Sequence, residues 1–155
     1  MPASKKPRKQ YRGGVSAANV KLRAQPYKLH AAFQPMLDLL NHIETTGEVE
    51  ATDKGVPIMR VFGDSEYYEM AAAIEGFYDV FDVYANRHGV EIDTGPIKRL
   101  ANCLRTSTPL QQSHINAARH CLHELREIAG DMRAGEAKDL VRTVQIKYEI
   151  EALRA

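Results

Sequence analysis

The stretch DSEYYEMAAAIEGFYDVFDVYANRHG, residues 64–89, decides the fold class. Within it Tyr67, Met70, Ala71, Ile74, Phe77, Tyr78, Phe81, Tyr84 and Ala85 recur at three- and four-residue steps, so a helix places them on one continuous apolar stripe. Asp64 is the candidate N-cap, Glu66 and Glu69 suit the positive end of the helix dipole, and Gly89 supplies a stop. The pattern predicts a long central helix.

The same periodicity extends in both directions. Upstream, Leu29, Phe33, Met36, Leu37, Leu40 and Ile43 form a stripe that ends at Gly47 and is interrupted by Pro35. Proline removes an amide donor and crowds the preceding turn, which predicts a helix start near Pro35. Downstream, Thr94-Gly95-Pro96 opens a short helix carrying Ile97, Leu100, Ala101 and Leu104. Thr108-Pro109 opens another, with Ile115, Ala118, Leu122, Leu125 and Ala129 before Gly130. Gly135 precedes the last, whose stripe is Ala137, Leu140, Val141, Val144 and Tyr148. Residues 48–52 alternate, Asp53-Lys54-Gly55 is a turn signal, and residues 56–61 are largely apolar and β-branched, which predicts a short hairpin near residues 48–61. Pro57 confines that hairpin to an edge. The expected fold is mainly α: about five helices in a bundle-like single domain over residues 26–155, one hairpin, and a disordered basic arm over residues 1–25.

Charge divides the chain in the same place. Lys5, Lys6, Arg8, Lys9, Arg12, Lys21, Arg23 and Lys28 precede the first acid, Asp38. Removing these eight from the 21 Lys and Arg leaves 13 bases against 20 acids, so an arm of +8 joins a body of −7 behind a net charge of +1. Such an arm seeks a polyanion, because each neutralised phosphate releases condensed counterions. Lys5, Lys6, Arg8, Lys9, Arg12, Lys21 and Arg23 are the candidate nucleic-acid contacts, with Tyr11 able to stack on an unpaired base. The alternatives are a solubilising tail and an arm that lies on an acidic surface of its own protein.

Residues 62–86 offer that surface, with Asp64, Glu66, Glu69, Glu75, Asp79 and Asp82 and no Lys or Arg. Glu66, Glu69, Glu75, Asp79 and Asp82 are a candidate protein-binding acidic face, which could imitate the phosphates of a nucleic acid toward a protein that binds one. Glu75, Asp79 and Asp82 at i, i+4, i+7 could in principle hold a divalent cation, although solvated helix faces commonly carry such stripes. Gln111, Gln112, Ser113 and Asn116 begin a helix that follows a shorter one, as base-reading amides and hydroxyls do in helix-turn-helix proteins; an ordinary helical corner with a polar first turn reads the same way. His120 and His123 at i, i+3 lack a second ligand pair.

The sequence has no glycine-rich phosphate loop, no GxSxG elbow, no HExxH pair and no cysteine placed beside a histidine in a way that suggests thiolate activation, so no catalytic residue, metal ligand or cofactor is expected. Cys103 and Cys121 read as reduced, packed thiols, which with the lack of a signal-like or membrane-length apolar run predicts a cytoplasmic protein.

Residues 1–12, Met-Pro-x-x-Lys-Lys-Pro-Arg-Lys-x-Tyr-Arg, the stretch on to Pro35-Met36-Leu37-Asp38-Leu39-Leu40, and Met70-Ala71-Ala72-Ala73-Ile74 resemble small helical proteins encoded by temperate bacteriophages and prophages. The resemblance covers about a third of the chain and carries no catalytic residues with it. It implies a protein of the bacterial host cell with one of two roles: a regulator or accessory acting on nucleic acid, or an inhibitor of a host defence or nucleic-acid-processing protein. The sequence therefore predicts a non-catalytic protein whose arm contacts nucleic acid and whose body binds a host or phage protein or forms a homo-oligomer. An inhibitor acting through the acidic face is the alternative, and a metal-dependent enzyme is a third.

Overall fold

Pro26 opens the first helix, at the position where the missing amide donor costs nothing and the fixed φ suits the turn. This is a computed structural model, and it describes residues 17–47, 58–60 and 67–154. The first helix, α1, runs Pro26–Thr46 and closes at Gly47, whose φ of 70° is the left-handed cap that sends its N–H to the Ile43 carbonyl at 2.8 Å.

The start expected at Pro35 is nine residues late, because α1 continues through that proline. Leu29 and Phe33, upstream of Pro35, are buried on the same side as Met36, Leu39, Leu40 and Ile43. Burying two large side chains is worth about 1.5–3 kcal/mol each, enough to offset the ~3 kcal/mol of an internal proline. What Pro35 leaves behind is the Ala31 carbonyl without its intrahelical donor.

The expected hairpin over residues 48–61 is not supported. Residues 48–57 lie outside the described residues, and the pairing present joins β1, Ile58–Arg60, to β2, Tyr67–Glu69, antiparallel with Met59 opposite Tyr68. Residues 67–69 are thus extended, and the central helix α2 spans Met70–His88. Asp64, its expected N-cap, lies outside the described residues.

The remaining helices are α3, Gly95–Arg105, α4, Gln112–Asp131, and α5, Ala134–Arg154. The Thr94-Gly95-Pro96 start signal is met within a residue, whereas α4 begins three residues after Pro109, with Gln111 and His114 closing a capping box. α3 packs on α2 and α4, α1 on α4, and α5 on α2. The core is contiguous, with Phe33, Leu40, Met70, Ile74, Ile97, Leu100, Leu122, Leu125 and Leu140 removed from solvent. Phe33 packs edge-on with Phe77 and Phe81 at centroid distances of 5.1 and 6.1 Å, joining α1 to α2. Among the described residues no helix is long and apolar enough to cross a membrane.

The boundary expected at residue 25 moves upstream. Two 3-10 turns, Ala17–Asn19 and Leu22–Ala24, lie against α4 and α5. The Leu22 N–H bonds the Met132 carbonyl and the Ala134 N–H bonds the Val20 carbonyl, both at 2.9 Å. A Cβ at Gly135 would stand 3.0 Å from the Ala18 Cβ and 3.1 Å from its carbonyl oxygen, so a larger residue at this crossing requires Ala18 to give by a few tenths of an ångström. Backbone pairing and the side chain of Leu22, packed on the core, compensate the ordering entropy that composition alone left uncovered.

Candidate functional site

The three described carboxylates of the predicted acidic face do not form a free surface. Glu75 pairs with Arg105 of α3. Asp82 accepts from the buried Thr94 hydroxyl at 2.9 Å and lies 3.0 Å from the Lys98 ammonium. Asp79, whose side chain is 15 % exposed, accepts from the Tyr148 hydroxyl at 2.5 Å and lies 3.6 Å from Lys147 of α5. The stripe therefore ties α2 to α3 on one side and to α5 on the other. Glu66 lies outside the described residues and the side chain of Glu69 is not described. Neither a cation nor a basic partner finds an open row of carboxylates here, and among the described residues no group of three His, Cys, Asp or Glu is placed to hold a metal.

Further inter-helix pairs close the far end of α2. His88 stacks on Tyr84 at 4.2 Å and pairs with Glu136, while Arg87 reaches Asp139 at 2.6 Å and the Thr143 hydroxyl at 3.0 Å. Basic residues in the last turn also suit the negative end of the α2 dipole.

The amide cluster expected to read bases is engaged within the body. Gln111 is the N-cap of α4, and its backbone N–H donates to His114 Nδ1 at 3.4 Å. Gln112 donates to Glu44 of α1 at 3.1 Å and to the Asn116 side chain at 3.0 Å, and Arg119 donates to Glu44 at 2.8 Å and to Asn41 at 3.0 Å. Ser113 is exposed with Gln111, Gln112 and Asn116. The Glu44 carboxylate at the centre of this patch is neutralised by the Arg119 guanidinium. The corner before α4 turns through Ser107 at a φ of 53°, in the left-handed region where a glycine is usual.

Arg119 first, then Gln112, holds the Glu44 carboxyl below its ordinary 4.5. A depressed carboxylate stabilises the fold above its unfolded pKa, and that contribution is lost as pH falls through the folded value. Glu44→Gln is expected to lower the melting temperature at neutral pH, and to lower it less at an acidic pH below the ordinary carboxylate range, where the ion pair with Arg119 is being lost in the parent as well. A deficit in thermal melts that is the same at both pH values would exclude this linkage.

Of the predicted arm contacts, Lys5, Lys6, Arg8, Lys9, Tyr11 and Arg12 lie outside the described residues. Lys21 and Arg23 approach Asp131 of α4 at 3.9 and 2.7 Å, with Arg23 lying over Gly130. They fasten the root of the arm to the body. Cys103 and Cys121 are buried free thiols. Cys121 lies 3.4 Å from the Asp93 carbonyl, and burial, aided by the charges of Asp93 and Glu124, pushes its thiol up to about 11, away from thiolate chemistry.

What the sequence did not reveal is a groove of roughly 630 Å³ between α1 and α5, floored by α2. Phe77, Val80 and Gly76 form the floor, Ala31, Ala32 and Pro35 one wall, and Val141, Val144 and Tyr148 the other. Its size is that of a ligand or peptide site, and its lining is apolar apart from Lys28, Gln145 and the Tyr148 hydroxyl. The signal was present as small residues at close spacing, Ala31 with Ala32 and Ala73 with Gly76, where larger side chains would have closed the space. No protein-family model, curated protein or solved structure matches the chain.

Proposed function

We propose that this is a non-catalytic, phage-type regulatory or accessory protein whose basic N-terminal segment contacts nucleic acid while the helical body serves as a platform for a protein partner or a second copy. The observation that carries the first half is the distribution of the arm's cations. Lys21 and Arg23 lie beside Asp131, and Lys28 stands at the groove. The other five, Lys5, Lys6, Arg8, Lys9 and Arg12, fall within eight residues that contain no acid. A compact run of unopposed charge of this kind supports phosphate contact.

Deleting residues 2–16 tests this while leaving the packed root in place. Full-length protein is expected to bind DNA or RNA with log K falling against log salt at a slope of about −4 to −5 on a duplex, five contacts at ~0.9 each. The truncated protein should keep its helical circular dichroism and lose both binding and slope. Equal binding by the two would end the reading.

For the second half, the groove favours protein binding by the body. The acidic-face version of an inhibitor is disfavoured by the engagement of Glu75, Asp79 and Asp82 within the fold.

A further inference from the structure

The groove has an apolar counterpart on the same molecule that cannot fill it. α5 buries Leu140 and Val144 against the body, yet Ile146 and Ile150 are each 45 % exposed and Leu153 is 86 % exposed. The three stand at i, i+4, i+7, which at 100° per residue is a second stripe on the side of α5 turned away from Leu140 and Val144. An isolated surface leucine is ordinary; three aligned large apolar residues facing away from their own core are a face without a partner. This stripe cannot reach its own groove, because α5 is one of the groove's walls.

We infer that a second copy of this chain covers both features: the outer stripe of α5 in one copy, Ile146, Ile150 and Leu153, seats in the α1/α2/α5 groove of another. Dimensions agree. The stripe spans about 10 Å along the axis and the groove wall from Ala137 to Tyr148 about 16 Å, at 1.5 Å per residue. The small residues Ala31, Ala32, Ala73 and Gly76 permit close approach of a helix, and a Cβ placed on Gly76 meets nothing within 4 Å.

Neither surface carries charge of one sign that would repel a second copy. Lys28 is on the groove rim, and Lys138 stands three residues from Val141, beside the groove wall. The inserted stripe is flanked by Arg142 and Glu149, while Glu151 stands three residues from Tyr148 on the groove side. All five are exposed. A reciprocal exchange, two stripes in two grooves about one two-fold axis, doubles the covered area toward the ~800 Å² per partner of stable dimers. It would also carry two basic arms on one particle, which raises avidity for a polyanion by effective concentration.

The inference rests on the platform reading of the body and not on the arm, so the two fail separately. The test uses full-length protein in sedimentation and light scattering from micromolar to sub-millimolar concentration. The parent is expected to dimerise. Ile146→Asp with Ile150→Asp removes the stripe, Gly76→Phe fills the groove from its floor, and each variant should be monomeric with an unchanged helical spectrum. Mixed one to one, these two monomeric variants should regain a dimer, since one intact stripe meets one intact groove. The inference is overturned by a parent that stays monomeric or by a dimer that survives both variants. Recovery of the parent as a monomer with a co-purified apolar small molecule or a different protein in native mass spectrometry would also overturn it. Deleting residues 2–16 should leave the dimer intact whatever it does to nucleic-acid binding.

Discussion

Reversing Glu75, Asp79 and Asp82 to lysine together is expected to abolish the cooperative unfolding transition instead of producing a folded protein with a neutralised surface. Each side chain joins helices. Asp82 holds the Thr94 hydroxyl, buried at the start of α3, and the Lys98 ammonium. Asp79 holds the Tyr148 hydroxyl and Lys147 on α5, and Glu75 holds Arg105 at the end of α3. Loss of a hydrogen bond to a charged group costs about 1.5–3 kcal/mol, and two such bonds go, with lysine placed against Lys98, Lys147 and Arg105 in addition. The total, roughly 3–6 kcal/mol before any repulsion, rivals the ~5–15 kcal/mol that separates a folded domain from its unfolded chain. Circular dichroism melts check it, with Asp82→Asn as the milder companion that retains an acceptor for Thr94. A triple variant that melts cooperatively within a few degrees of the parent would show the stripe to be a solvated face after all.

How far the fold could be read from the chain depended on whether the deciding interactions were local. The spacing of Ile74, Phe77 and Phe81 is a local property, and so is the Thr94-Gly95-Pro96 start signal; both place helices where the structure has them. The passage of α1 through Pro35 is not local, since it depends on Leu29 and Phe33 finding a core built by α2 and α4. The root of the arm fails to announce itself for the same reason. Ala17 to Gln25 contains one leucine and no periodicity, but Leu22 and Val20 meet Met132 and Ala134 more than a hundred residues away.

The acidic stripe shows the other limit. Its i, i+4, i+7 spacing is evident in the sequence, but whether a carboxylate faces water or a neighbouring helix depends on how α3 and α5 flank α2. The partners Lys98, Arg105 and Lys147 were visible as cations without being visible as partners. The groove is likewise a property of three helices at once: Gly76 and Ala73 on α2 line it together with residues of α1 and α5 that are far away in the sequence.

Tyr148→Phe is expected to cost about 1.5–3 kcal/mol at neutral pH, because it removes the donor that Asp79 receives at 2.5 Å and changes little else. The phenol is pushed upward, first by burial and then by its hydrogen bond to Asp79 and that carboxylate's charge, since ionising Tyr148 would set two anions against each other. A raised folded pKa means that the bond's contribution is fully present below the unfolded tyrosine value of about 10 and is lost as pH rises beyond it toward the folded value. The parent should therefore lose stability above that point, and the Phe variant should lose less, so the gap between their melting temperatures narrows with alkalinity. Thermal melts in a series of buffers from neutral to strongly alkaline measure that gap. In a parallel ultraviolet titration, one tyrosine fewer should ionise late in the variant. A gap that stays constant through the alkaline range would assign the loss to packing at the groove wall, leaving the Asp79 bond with no part in the pH response.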